Sequence, residues 1–201
     1  MTEPVQKKLR EALDFATKAH KGQKRLANDD PFITHPIAVM TMVVATEADS
    51  FHSLDLLDCM IVALLHDVIE DTDHDKESLL DAGFGQWEAD VSVLSRRKPQ
   101  DCELCAPQWD ETHRVSDECF AKPPSVACQT HWDYIKDIRR YAIAKAKRRT
   151  TPRDWRHETV IRVKRADIAH NMETAIEAHG PDMLARYEKS LEILLSDERT
   201  T

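Results

Sequence analysis

Leu54-Asp55-Leu56-Leu57-Asp58-Cys59-Met60-Ile61-Val62-Ala63-Leu64-Leu65 runs directly into His66-Asp67-Val68-Ile69-Glu70-Asp71. The apolar run predicts a buried helix with Ser53 as its N-cap. The six residues after it pack two kinds of catalytic side chain into less than two turns. If the helix continues, His66 and Glu70 are four apart, as are Asp67 and Asp71, so each pair stacks on one face. An adjacent His-Asp can offer a metal a neutral imidazole and a carboxylate oxygen. The next turn then holds two carboxylates able to orient or deprotonate a metal-bound water. Burying such a cluster without a metal costs on the order of several kcal/mol unless protons or partners intervene.

Working outward, the chain reads as helical throughout. Its 201 residues fit one domain, spanning 1–201, with enough chain to bury a core. Four glycines, Gly22, Gly83, Gly85 and Gly180, leave no Gly-rich phosphate loop and disfavour a large sheet. Pro4 opens a first amphipathic helix that ends near Lys21-Gly22. Pro36 disfavours the α conformation for His35 and opens a second helix from Ile37 to about Ala48, which puts His35 at a helix mouth. Lys76–Ala82, Trp87–Arg97, Trp132–Lys147, Arg156–His179 and Asp182–Ser196 complete an all-α set of seven or eight helices. Residues 99–131 break the pattern with four prolines, four cysteines and no periodicity, and are expected to form an insertion or long loop.

The formal net charge of −8 argues against binding nucleic acid by general electrostatics. Residues 136–165, however, carry twelve Lys or Arg against three acidic residues. A local cationic zone on an acidic chain suits a small polyanion, or is simply a solvated helix face. Met1 to Lys8 has no secretory apolar core, and the best apolar stretch is too short and too charged for a membrane span, so a cytoplasmic location is expected.

One His-Asp pair needs further ligands. Upstream stands His35; downstream, Thr159-Val160-Ile161-Arg162-Val163-Lys164-Arg165-Ala166 leads to Asp167, then His170 and Asn171. A mid-helix carboxylate after such a run is expensive unless a metal neutralises it. His35, His66, Asp67 and Asp167 give two imidazoles and two carboxylates with positions left for water and substrate, a set that suits Mn²⁺, Fe²⁺ or Zn²⁺.

The order His…His-Asp…Asp resembles that of HD-superfamily metal-dependent phosphohydrolases. Within them the chain is similar to the hydrolase domain of RelA/SpoT homologues and to stand-alone small alarmone hydrolases. The matching pieces are Ala16–Arg25, Pro31-Phe32-Ile33-Thr34-His35-Pro36, Ala63–Thr72, Phe84-Gly85, Val163–Asp167 and His170-Asn171-Met172. The resemblance implies a helical HD-type bundle that removes the 3′-pyrophosphate of guanosine tetra- or pentaphosphate. It implies that His35, His66, Asp67 and Asp167 hold one Mn²⁺ and that Glu70 and Asp71 handle the attacking water. It also implies that Arg25 packs on guanine, that Asn171 and Thr174 make polar contacts near the ribose, and, more loosely, that Arg186, Tyr187 and Lys189 meet phosphate.

Departures cluster around nucleotide selection. A basic residue common in the family is lost at Ile168 and one is gained at Arg165; Glu173 replaces another; Leu26 replaces the basic neighbour of Arg25. An HD nucleotidase acting on another nucleotide, or a non-catalytic antitoxin-like binding protein, are the alternatives. Cys102-x-x-Cys105, Cys119 and Cys128, with His113 and His131, offer either a structural zinc set or free thiols. A single Cys-x-x-Cys favours free thiols. The 99–131 insertion is expected to cover the site or meet a protein partner.

Overall fold

The computed structural model describes residues 2–25, 28–47, 53–96, 130–149, 154–178 and 181–196. Cys102, Cys105, Cys119, Cys128 and His113 lie outside them, as do residues 99–129 of the expected insertion.

Nine helices follow in order among the described residues: α1 Glu3–Ala19, α2 Thr34–Glu47, α3 Ser53–Leu65, α4 Val68–Asp71, α5 Lys76–Asp81, α6 Glu88–Leu94, α7 His131–Lys147, α8 Thr159–Ala178 and α9 Pro181–Leu195. A 3₁₀ turn, Trp155–His157, leads into α8. No strand occurs among the described residues, only an isolated bridge between Lys24 and Pro31. None of the described helices is long and apolar enough to cross a membrane.

The apolar run at 54–65 becomes the central helix. Cys59, Ile61, Val62, Ala63, Leu64 and Leu65 of α3 are all essentially inaccessible. A helix buried on every side needs cover from several neighbours, and α1, α2, α6 and α8 supply it. Helix α8 in turn packs on α2, α7 and α9 through Val160, Ile161, Val163 and Ile168. The two central helices therefore cross the core side by side, each delivering its own acidic residue to the same end.

Three expectations need correction. The helix carrying His66 does not continue to Asp71: His66 and Asp67 form a turn between α3 and α4. The His66 Nδ1–H donates to the Ala63 carbonyl at 2.8 Å, and Asp67 sits at φ −95°, ψ −5°, as the residue preceding α4. Helix α2 begins at Thr34, before Pro36, because a proline is tolerated in a first turn whose N–H groups lack partners anyway. Finally, Thr130 and His131 are not loop: the Thr130 hydroxyl accepts from the Asp133 N–H at 3.2 Å and caps α7, whose first residue is His131.

Candidate active site

The α3–α4 turn, the start of α2 and the middle of α8 meet at one point. His35, buried at the head of α2, places Nε2 3.3 Å from Asp67 Oδ2 and 3.2 Å from Asp167 Oδ1. His66 Nε2 lies 3.0 Å from Asp67 Oδ1 and 3.8 Å from Asp167 Oδ1. His35, His66 and Asp167 each bring one ligand atom within 4.8 Å of the others. Asp67, adjacent in sequence to His66, closes the group from a side chain that is still 15% exposed.

The proton arrangement follows from the surroundings. The Ala63 carbonyl can only accept, so His66 carries its proton on Nδ1 and turns Nε2 toward the cluster. That Nε2 is buried and has no hydrogen bond of normal geometry, although Asp67 Oδ1 is close. His35 Nδ1 lies 2.8 Å from His170 Nδ1. Burial, with His35 and Arg25 nearby, holds His170 down to about 4, so it stays neutral and accepts from His35 Nδ1–H. Both imidazoles therefore aim Nε2 inward, each fixed from behind by an outer partner.

Charge tells the same story. Burial opposes protonation of His35, but Asp167 and Asp67 outweigh it and raise its pKa; for His66 Asp67 leads, and the pKa lies well above the ordinary value. Burial would raise both carboxyls, yet His66 and His35 pull Asp67 down, and Lys164 with the two imidazoles pulls Asp167 well below the carboxylate range. The two acids need positive charge at this point, and a divalent cation supplies it with both imidazoles neutral. Two inward nitrogens, of which His66 Nε2 is orphaned, and two carboxylates fit such an ion.

Lys164, which the sequence reading did not single out, donates to Asp167 Oδ2 at 2.7 Å, while Asn171 Nδ2 donates to Oδ1 at 2.7 Å. Its spacing three residues before Asp167 on α8 was the available signal. The Asn171 carbonyl oxygen faces outward and accepts from Arg25 Nη2 at 3.1 Å. Arg25 also reaches Thr174 Oγ1 at 3.5 Å and lies 5.8 Å from the centre of the Phe32 ring. Thr174 thus steadies Arg25 from outside the cleft lining.

A cleft of about 270 Å³ opens in front of the cluster. Glu70 and Asp71 of α4 line it beside Asp67, and the Arg96 backbone N–H donates to Glu70 Oε2 at 2.8 Å. The remaining walls carry Arg25, Arg96 and Arg186, with Tyr134, Tyr187 and His131. Arg96 and His131 border the stretch of sequence that lacks periodicity, and no motif placed them here. Of the looser residues, Arg186 and Tyr187 line the cleft, whereas Lys189 stacks 4.8 Å over the Trp132 ring. Ile168, at the position of the lost basic residue, also lines the cleft, and Arg165 is exposed on the surface.

No family model matches the chain. It is 40% identical over 105 residues to a guanosine-3′,5′-bis(diphosphate) 3′-pyrophosphohydrolase of Vibrio cholerae, a match covering 50% of this chain and 14% of that protein. It is 37% identical over 98 residues to the bifunctional (p)ppGpp synthase/hydrolase SpoT of Escherichia coli, covering 47% and 13%. The chain thus spans about one seventh of the length of these curated relatives. A solved structure described as a metazoan ortholog of SpoT that hydrolyses ppGpp superposes with a TM-score of 0.53 at 19% identity, covering 94% of this chain and 86% of that one. In motif order and in helical fold, this chain resembles an HD-type hydrolase domain of the RelA/SpoT kind.

Proposed function

We propose that this chain is a single HD-type domain that hydrolyses the 3′-pyrophosphate of guanosine tetra- and pentaphosphate, giving GDP or GTP and pyrophosphate, with Mn²⁺ in the cytoplasm. The observation that carries the reading is the juxtaposition of His35, His66, Asp67 and Asp167 with a cleft whose walls also bear Arg25, Arg96 and Arg186. An anionic substrate in that cleft would meet both the ligand cluster and guanidinium groups.

When bound, the cation supplies Lewis acidity and a water of lowered pKa. The chain supplies the rest. Glu70, fixed by the Arg96 N–H, and Asp71 at the end of α4 stand as carboxylates for orienting water and taking its proton. Arg25, held by Asn171 and backed by Phe32, offers a flat cation for a purine face. Arg96 and Arg186 are donors for the phosphates. Ile168 removes a charge from the wall that Arg165 does not restore, which keeps a differently phosphorylated nucleotide as the second reading.

The test is a Mn²⁺-loaded assay of pyrophosphate release from guanosine tetraphosphate beside a panel of 3′- and 5′-phosphorylated nucleotides, with Asp67→Ala as control. Metal-dependent release from the alarmone, lost in the variant while its helical circular dichroism persists, is expected. Turnover of another nucleotide alone would keep the hydrolase and refute the alarmone. Activity retained by Asp67→Ala would refute the site.

A further inference from the structure

We infer that His20 and Gln23 form a positioning relay that sets Asp71 from behind; the inference rests on Asp71 acting as a water-handling carboxylate. Both residues lie in the turn after α1, away from the ligand cluster. Gln23 Nε2 donates to the Asp71 carbonyl at 2.5 Å, across 48 residues of sequence. Because a carbonyl only accepts, the Gln23 amide must present its NH₂ there and turn Oε1 the other way. Oε1 lies 2.7 Å from His20 Nδ1, so His20 is the donor and carries its proton on Nδ1.

The rest of His20 supports this direction. Its side chain is almost wholly buried at 3% exposure, and Nε2 has no hydrogen-bond partner among the described residues. A proton on Nε2 would bury an unpaired N–H and also leave Gln23 Oε1 facing a lone pair. The backbone holds the relay in register. Gly22 adopts φ +85°, the Gln23 N–H donates to the His20 carbonyl at 3.1 Å, and Phe32 N–H donates to the Gln23 carbonyl at 3.0 Å.

The Asp71 carbonyl terminates α4, a helix of only four residues with few bonds of its own. Gln23 therefore supplies a fixed point that α4 lacks. The same imidazole stacks on Phe32 at 4.6 Å and 23°, and the Phe32 ring meets His35 edge-on at 5.9 Å. One buried histidine thus couples the end of α4 to the aromatic wall beneath Arg25.

Three variants isolate the relay: His20→Phe keeps the stack and removes the donor; His20→Asn places an amide N–H near the former Nδ1; Gln23→Met breaks the middle and spares the stack. We expect His20→Phe and Gln23→Met to lose roughly 10- to 100-fold in kcat, with KM and Mn²⁺ affinity within about threefold, as small misplacements at a reacting centre do. His20→Asn should recover most of the loss. Wild-type kcat in Gln23→Met, or no recovery in His20→Asn relative to His20→Phe, would overturn the relay. ¹⁵N shifts of the wild-type His20 ring supply a readout independent of turnover. A protonated Nδ1 and a bare Nε2 are expected; the opposite tautomer overturns the inference even if the chain hydrolyses the alarmone. Failure of the functional reading appears instead as a wild-type chain without turnover.

Discussion

Replacing Lys164 with Met should destabilise the metal-free protein strongly and the metal-loaded protein much less. Lys164 Nζ sits 2.7 Å from Asp167 Oδ2, with the two side chains only 14% and 6% exposed. At that separation the attraction is about 6 kcal/mol for an effective dielectric constant of 20, most of it spent on desolvating the two ions. Removing one partner of such a buried pair costs about 3–5 kcal/mol, because the other charge stays behind. Lys164 Nζ also lies 4.9 Å over the Tyr134 ring, and Met removes that charge while keeping most of the stem's bulk, so the loss is electrostatic rather than a cavity. A divalent ion bound to Asp167 compensates the stranded carboxylate, and the penalty shrinks. The thermodynamic cycle then requires Lys164→Met to bind Mn²⁺ more tightly by the same difference, and about 2 kcal/mol of relief equals roughly 30-fold in Kd. Urea unfolding with EDTA and with saturating Mn²⁺, together with isothermal titration of the apo protein, measures both arms. An equal loss of stability under the two conditions, or unchanged Mn²⁺ affinity, would refute the placement of the ion against Asp167.

Glu70→Gln keeps an oxygen for the Arg96 N–H but removes the base, so kcat should fall by about 10²–10⁴-fold while Mn²⁺ affinity stays, measured by steady-state kinetics and titration. Phe84→Ala empties a site that is 1% exposed and packed against Phe15 and Trp87, and should cost about 3–5 kcal/mol in urea unfolding. Burial first, then Arg186, Lys164 and Arg96, hold the His131 pKa down to about 3 against the ordinary 6.5. The unfolded chain takes up a proton between those values that the native one does not, so stability falls as pH drops through that window, by at most about 1.4 kcal/mol per pH unit. His131→Gln, whose amide still reaches Ser190, should flatten that slope; an unchanged slope in pH-resolved urea titrations would exclude His131 as its source.

The helices were legible because their signals are local. Pro4 marks the start of α1, and the buried α3 announces itself by an unbroken apolar run. The break at His66–Asp67 was hidden, since a helical repeat continues through it, and the His66 bond to the Ala63 carbonyl leaves no mark in the spacing. Of the expected ligands, His35, His66, Asp67 and Asp167 do converge, on distances that no spacing could give. Lys164, Arg96 and His131 were not read as residues of this site, for different reasons. Lys164 looked like one cation in a basic run, and the other two border a segment without periodicity, so their approach to the cleft is purely tertiary. The fate of the four cysteines in that segment lies outside the described residues.

Arg25 and Asn171 touch across 146 residues of sequence, and the cleft also draws walls from α3–α4, α7 and α9. Only a fragment reaching from Arg25 to Arg186 contains both the ligand cluster and the whole cation wall. During synthesis the ligand residues His35, His66 and Asp67 are already made while Arg186 and Tyr187 are still to come. The ligand set is completed only with Asp167 of α8, and the cation wall only with Arg186 of α9. Loop closure of this range is slow relative to helix formation, so ligand grip should be the last property the molecule acquires and the first it loses when α9 lifts away.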